Sequence, residues 1–106
     1  MTEAMQRLKS EFFKVLAHPA RIHVLEILAN GECSVTELTE RVGLEGSHMS
    51  QQLGVLRRAG LVQPRKDGST VYYSLSDARI AEILQLARQV LLTYMRDAAD
   101  QLSDWE

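Results

Sequence analysis

The sequence predicts one mainly α-helical domain, residues 1–106, that carries a single small β-hairpin. Apolar residues recur at helical spacing through most of the chain, whereas two short runs rich in β-branched and aromatic residues flank Asp67-Gly68. A chain of 106 residues has the length of one domain. Cys33 is its only cysteine, so an internal disulfide framework is excluded.

Two helices are predicted before residue 31. Apolar residues at helical spacing indicate a first helix over residues 4–17. Pro19 suits the first turn of a second helix, which ends at Asn30-Gly31. We expect this second helix to bury four aliphatic residues: Ile22, Leu25, Ile27 and Leu28.

Residues 34–59 fit a helix-turn-helix. Ser34-Val35-Thr36-Glu37 has the pattern of a capping box at the start of a third helix, which Gly43 ends. A fourth helix follows over about residues 47–59, with three inward-facing side chains: Met49, Leu53 and Leu56. Two short helices joined by a brief turn around a glycine are typical of this motif.

A two-stranded hairpin is predicted over residues 61–75, because Asp67-Gly68 between two strand-like runs is a strong turn signal. Pro64 lacks a backbone N–H and therefore suits an edge strand. The last helix is predicted over about residues 78–102 and would be about 37 Å long. Its apolar stripe is longer than one small domain covers, and a second copy of the chain would cover it.

The net charge of −2 hides a basic middle segment. Residues 46–75 carry a net charge of +3, whereas residues 1–45 carry −2 and residues 76–106 carry −3. Local potential governs the attraction of a polyanion more than the total charge does. The distribution therefore permits a nucleic-acid partner.

The order of these elements, with a basic hairpin after the helix-turn-helix, is similar to the ArsR/SmtB family of winged helix-turn-helix bacterial transcription regulators. The resemblance covers nearly the whole chain, and four segments carry it: FFKVLAHPAR at 12–21, SVTEL at 34–38, SQQLGVLRRAGLV at 50–62 and RKDGSTVYYSL at 65–75. It implies a homodimer that pairs through its first and last helices, and most members of the family are repressors. A bacterial, cytoplasmic protein that associates with the nucleoid when bound to DNA is expected.

The resemblance also implies which residues contact DNA. The N-terminal residues of a recognition helix face base edges in the major groove, and here they are Ser47, His48, Ser50 and Gln51, with Gln52 near the backbone. Phosphate contacts are expected from the end of this helix and from the hairpin, called the wing, at Arg57, Arg58, Arg65, Lys66, Ser69 and Thr70. A dimer of such units predicts a pseudo-palindromic double-stranded operator.

The dimer interface is expected on the apolar faces of the first and last helices. The residues predicted to form it are Leu8, Phe12, Ile83, Ala87, Val90, Leu91, Tyr94 and Ala98.

The metal sites usual in the family are missing from this sequence. Of the four positions of the last-helix site, Asp77 alone keeps a ligand, since Arg79, Val90 and Thr93 occupy the others. The cysteine pair of the third-helix site is replaced by two hydroxyl residues, and Cys33 lies one place away. Zinc or nickel could use a non-standard site made from the remaining candidates: His18, His23 and Glu26. If these residues bind no ion, we expect a regulator without a metal cofactor.

Other functions remain open at this point. An enzyme is disfavoured, because the sequence has no metalloprotease motif, phosphate-binding glycine loop or nucleophile–base set. A membrane partner is disfavoured as well, since no apolar run approaches the ~20 residues of a membrane span. Secretion is not expected either, because the N-terminus lacks the charged, apolar and small-residue pattern of a leader. An activator, a partner-dependent regulator, an effector ligand and a redox role for Cys33 all stay possible.

Overall fold

The computed structural model describes residues 2–104 and confirms a mainly helical domain with a small sheet. Residues 1, 105 and 106 of the predicted domain lie outside the described part. The helices are α1 (Thr2–Leu16), α2 (Pro19–Leu28), α3 (Val35–Val42), α4 (Gly46–Arg58) and α5 (Arg79–Asp104). The strands are β1 (Cys33–Ser34), β2 (Val62–Asp67) and β3 (Thr70–Leu75).

The sheet has three antiparallel strands in the order β1-β3-β2, so the prediction of a two-stranded hairpin was incomplete. β1 comprises Cys33 and Ser34, which pair with Tyr73 and Tyr72. A segment of two residues is too short to show a strand periodicity in the sequence. Only its pairing with β3 makes it a strand. β2 lies at the sheet edge, as Pro64 predicted.

The wing turn lies one residue later than the sequence predicted. Asp67 is the last residue of β2 and pairs with Thr70, which leaves Gly68-Ser69 as the two-residue loop. Gly68 has a φ of +62°, and no residue other than glycine among residues 2–104 has a positive φ. Glycine at the first central position suits a type II′ turn, whose twist matches that of the flanking strands.

The core lies where α2, α3 and α4 meet the sheet. The three residues predicted to face inward from α4 are buried: Met49, Leu53 and Leu56. On α2 the most deeply buried residues are Val24 and Leu25, whereas Ile22 is only half-buried, contrary to the prediction. The helix turns Val24 inward beside Leu25, Ile27 and Leu28, and this leaves Ile22 at the edge of the core. Burying each such aliphatic side chain contributes about 1.5–3 kcal/mol.

Side chains cap the helices that lead into the helix-turn-helix. His18 Nδ1 accepts from the backbone N–H of Ala20 at 3.2 Å and so caps α2. Ser34 Oγ accepts from the Glu37 N–H at 3.1 Å, as expected for a capping box. The Glu37 carboxylate, however, accepts from Cys33 Sγ at 2.7 Å. α3 ends at Gly43, whose φ of +79° is the left-handed C-cap conformation.

α5 leaves the body of the domain after its first turns. Ile80 is its only buried residue within Arg79–Asp104, and all residues from 85 to 104 are exposed. Its C-terminal part therefore has almost no contact with the rest of one chain. No helix within residues 2–104 is both long and apolar enough to cross a membrane.

The packing of α4 predicts the effect of truncating Leu56, which is fully buried. Leu56→Ala should lower the free energy of unfolding by about 2–5 kcal/mol, because it removes apolar contacts and leaves a cavity. Urea denaturation at one fixed protein concentration measures this change. Gln101→Ala, at an exposed polar residue of α5, is the control and should change stability by less than about 0.5 kcal/mol. Equal effects of the two variants would contradict this packing.

Candidate nucleic-acid interface

The N-terminal half of α4 presents polar side chains to solvent. Met49 and Leu53 anchor the helix in the core, and the helical period of 3.6 residues turns the intervening side chains outward. The four residues predicted to contact bases are all exposed: Ser47, His48, Ser50 and Gln51. Their donors and acceptors suit the varied base edges of a major groove.

An open groove of about 940 Å³ separates α4 from the wing. Predicted DNA-contacting residues line both of its walls: Ser50, Arg57 and Arg58 from α4, and Ser69 and Thr70 from the wing. Thr36, on the first turn of α3, also lines the groove and was not selected from the sequence. The fold thus brings hydroxyl and arginine side chains from several elements to the two walls of one groove, whose floor also includes apolar residues.

Gly54 lets the side chain of Arg58 fold back along α4. A Cβ atom at position 54 would lie 3.1 Å from Arg58 Nη1. The close neighbour of Gly54 is thus the guanidinium one turn later in the same helix. Because glycine has no side chain here, the Arg58 guanidinium can lie against α4 beside the groove.

Arg65, predicted to contact phosphate, is held on the outer face of the sheet. Its Nε and Nη2 donate to the two carboxylate oxygens of Glu32 at 2.9 and 2.7 Å. Its guanidinium also lies over the Tyr72 ring, 4.7 Å from the centroid. The hydrogen bonding between Arg65 and Glu32 lowers the pKa of Glu32 and raises the pKa of Arg65, so both side chains stay charged. Lys66 forms no ion pair within residues 2–104, so the wing presents Lys66 as its uncompensated cation.

Gln52 differs from its neighbour Gln51 in having an internal partner. Its Oε1 accepts from Arg21 Nε at 2.7 Å, and the residue is half-buried against α2. No sequence signal pointed to this contact, since the two residues lie 31 positions apart.

Most of the predicted dimer residues form an exposed apolar face. Leu8 on α1 is 64% exposed, and Val90, Leu91 and Tyr94 on α5 are 50%, 58% and 66% exposed. Ala87 and Ala98 are exposed beside them, whereas Phe12 and Ile83 are half-buried. Six further large apolar residues of α1 and α5 are exposed and were not among the predicted dimer residues: Met5, Phe13, Leu86, Leu92, Met95 and Leu102. An apolar face of this extent on a small domain is typical of an interaction surface.

Comparison with known proteins identifies the family. A family model described as bacterial regulatory protein, arsR family, matches residues 18–63. The uncharacterised HTH-type transcriptional regulator Rv0081 of Mycobacterium tuberculosis is 52% identical over 104 residues, which are 97% of this chain and 91% of that protein. The chain belongs to the arsR family of bacterial regulatory proteins.

Solved and curated relatives agree with this ArsR-family assignment. The crystal structure of Rv0081 matches with a TM-score of 0.84 at 53% identity, over 90% of this chain and 96% of that one. A biofilm growth-associated repressor of Xylella fastidiosa is 34% identical over 84% of this chain and 78% of its own length. The solution structure of the homodimeric winged helix-turn-helix DNA-binding domain of Mb0332 from Mycobacterium bovis has a TM-score of 0.81 at 26% identity, over 91% and 89% of the two chains. The predictions of a winged helix-turn-helix and of a transcriptional regulator rather than an enzyme are confirmed.

The fold does not bring the candidate metal ligands His18, His23 and Glu26 into one cluster of three within residues 2–104. His18 Nδ1 is used as the cap of α2, while His23 and Glu26 are exposed on α2. Among residues 2–104 no three His, Cys, Asp or Glu side chains are grouped as a metal ion would require. Arg79 Nη2 lies 2.7 Å from an Asp77 carboxylate oxygen and, by hydrogen bonding, lowers the pKa of Asp77 to about 2. The Asp77 carboxylate also caps α5 by accepting from the Arg79 N–H at 2.9 Å.

Cys33 is buried and hydrogen-bonded. Burial, and then its hydrogen bond and charge interaction with Glu37, raise the pKa of the thiol to about 11. Thiolate is the reactive form of cysteine, so this environment opposes oxidation and alkylation. Because the folded pKa lies above the unfolded value, the stabilisation is full below pH 9 and declines as the pH rises toward 11.

Alkylation kinetics test this environment. At pH 8 a thiol of pKa 11 is about a hundredfold less ionised than one of pKa 9.0, so iodoacetamide should label Cys33 about a hundredfold more slowly in the native protein than in urea. Glu37→Gln removes the neighbouring charge but not the burial, and it should raise the native rate only in part. Equal rates in the native and unfolded protein would contradict the buried thiol.

Proposed function

We propose that this ArsR-family regulator is a homodimeric repressor that binds a pseudo-palindromic operator in double-stranded DNA. The groove between α4 and the wing carries the proposal, since it places polar side chains and uncompensated cations on one surface. α4 has the exposure and length to enter a major groove, while the wing lies beside it.

Base contacts are assigned to the first half of α4. Gln51 is exposed, so both ends of its carboxamide are available for a bidentate pair with adenine. The hydroxyls of Ser47 and Ser50 donate or accept at several bases, and His48 lies between them on the exposed face.

Phosphate contacts are assigned to five residues around the groove: Arg57, Arg58, Lys66, Ser69 and Thr70. The first three carry charges that no acidic side chain within residues 2–104 offsets. Arg65 keeps its position on the wing, but Glu32 neutralises its charge, so we expect it to contribute less to DNA affinity than Lys66 does.

A homodimer is supported by the exposed apolar face of α1 and α5 and by the homodimeric relative from Mycobacterium bovis. Covering apolar surface is the main favourable contribution to protein association. Two copies present two α4 helices, and a twofold dimer requires half-sites about one DNA turn apart.

Repression is supported by the name of the Xylella fastidiosa relative, although a transcriptional activator of Vibrio cholerae is also 39% identical over 77 residues. The sign of regulation is measured with a reporter driven by the operator-bearing promoter. Lower expression in the presence of the protein is the expected result, and higher expression would make the chain an activator.

Operator binding is tested by fluorescence anisotropy on DNA from upstream of the protein's own gene. Gln51→Ala should weaken specific binding by about 1–3 kcal/mol and relax base preference, because it removes a base-edge contact. Gln101→Ala, at an exposed residue near the end of α5, is the matched control and should bind like wild type. Unchanged operator binding by Gln51→Ala would contradict the placement of the recognition surface on α4.

The same titration decides whether a metal is the effector. Chelator-treated protein is compared with protein given zinc or nickel, and we expect no tenfold change because the described residues hold no ligand cluster. A tenfold change would direct attention to His23 and Glu26, which share an exposed face of α2 and could join ligands from a second copy.

Tyr94→Glu should disrupt the dimer, since it places a charge in the middle of the apolar face. Sedimentation velocity measures the change as a shift from dimer to monomer at micromolar concentration. Gln101→Glu adds the same charge to an already polar position of α5 and should leave the dimer intact. An intact dimer in the Tyr94 variant would mean that the chains pair through another surface.

A further inference from the structure

The side chain of Arg21 joins three helices. From α2, its Nε donates to Gln52 Oε1 on α4 at 2.7 Å, and its Nη1 donates to the Val15 carbonyl at the end of α1 at 3.2 Å. Both contacts are partly buried, and Arg21 itself is half-buried. Two acceptors on different helices therefore hold the guanidinium in one place.

Neither partner of Arg21 is an acid. Within residues 2–104 its guanidinium forms no ion pair, unlike Arg65 and Arg79. The Val15 carbonyl belongs to the last turn of α1, where the helix dipole favours a cation without cancelling its charge. Arg21 thus brings an uncompensated positive charge directly behind the recognition helix.

The chemistry of arginine decides which end of the Gln52 amide is free. A guanidinium has donors only, so the atom that meets Arg21 must be the carbonyl oxygen of the amide. The two N–H donors of Nε2 are then the end of the amide left for another partner. Gln51 is exposed and has no side-chain hydrogen bond among the described residues 2–104, so both ends of its amide stay available.

We propose that Arg21 is a positioning residue that commits Gln52 to donate to a DNA phosphate, while base recognition rests with Gln51. A bidentate pair with adenine needs the oxygen and the nitrogen of the amide turned together toward one base edge, whereas Arg21 turns the oxygen of Gln52 toward α2 and occupies one of its two lone pairs. Phosphate oxygens are acceptors only, which matches the free donors. The cation on the oxygen side also polarises the amide and strengthens donation from the other side.

This inference rests on the proposed operator binding, and substitutions of Gln52 test it first. Gln52→Glu keeps an acceptor for Arg21 but removes the N–H donors and adds negative charge, whereas Gln52→Met removes both ends. Each should weaken binding about tenfold or more, by a similar factor on the operator and on every single-base variant of it. A Gln52 variant that changes base preference at one position, or that binds like wild type, would overturn the proposal.

The role of Arg21 is measured by a double-mutant cycle in the same assay. Arg21→Met should weaken binding, and Arg21→Met with Gln52→Met should bind no more than about twofold more weakly than Gln52→Met alone, because both changes act through one contact. Losses that multiply would show that Arg21 acts independently of Gln52. Arg21→Lys, which lacks the guanidinium fork, replaces Arg21→Met if urea denaturation shows that the methionine variant is unfolded.

The outcomes separate this inference from the proposed function. A wild-type protein that binds no DNA at low salt overturns the proposed function and this inference with it. A wild-type protein that binds the operator, together with Gln52 variants that change base preference, overturns only the inference.

Discussion

The burial of one face of α4 is the constraint on which the interface depends. Met49 and Leu56 are fully buried and Leu53 is nearly so, and together they bind the helix to α2, α3 and the sheet. Since the helical period places Ser47, His48, Ser50 and Gln51 on the other side, the same packing that stabilises the domain also exposes its polar surface. A rotation of α4 about its axis would cost core contacts, so the exposed face stays defined.

Hydrogen bonds over long sequence distances then determine which polar groups remain available. Arg65 is paired with Glu32 and Gln52 with Arg21, whereas Lys66 and Gln51 have no such partners within residues 2–104. Neighbouring residues of the same chemical type therefore differ in what they offer to DNA. Because these pairs are exposed or partly exposed, their importance is for orientation more than for stability.

Much of the fold and of the candidate site could be predicted from local patterns. The cap at Ser34, the end of α3 at Gly43 and the edge position of Pro64 follow from interactions within a few residues. The strand at Cys33–Ser34 was missed, and the turn at Gly68-Ser69 was placed one residue too early. Pairing between strands decides both features, and it is not visible in a local pattern. The contacts of Arg21 and Arg65 span 31 and 33 positions, and no local pattern reports them.

The sequence by itself determined the order of helices and wing, the inward face of α4 and the apolar stripe of α5, because the spacing of apolar residues along a helix carries that information. The tertiary structure alone decided that Cys33 is a buried partner of Glu37, that Arg65 is neutralised by Glu32 and that one glutamine of α4 is engaged by α2. These features arise where distant segments meet. Their geometry exists only after the core has brought the helices and the sheet together.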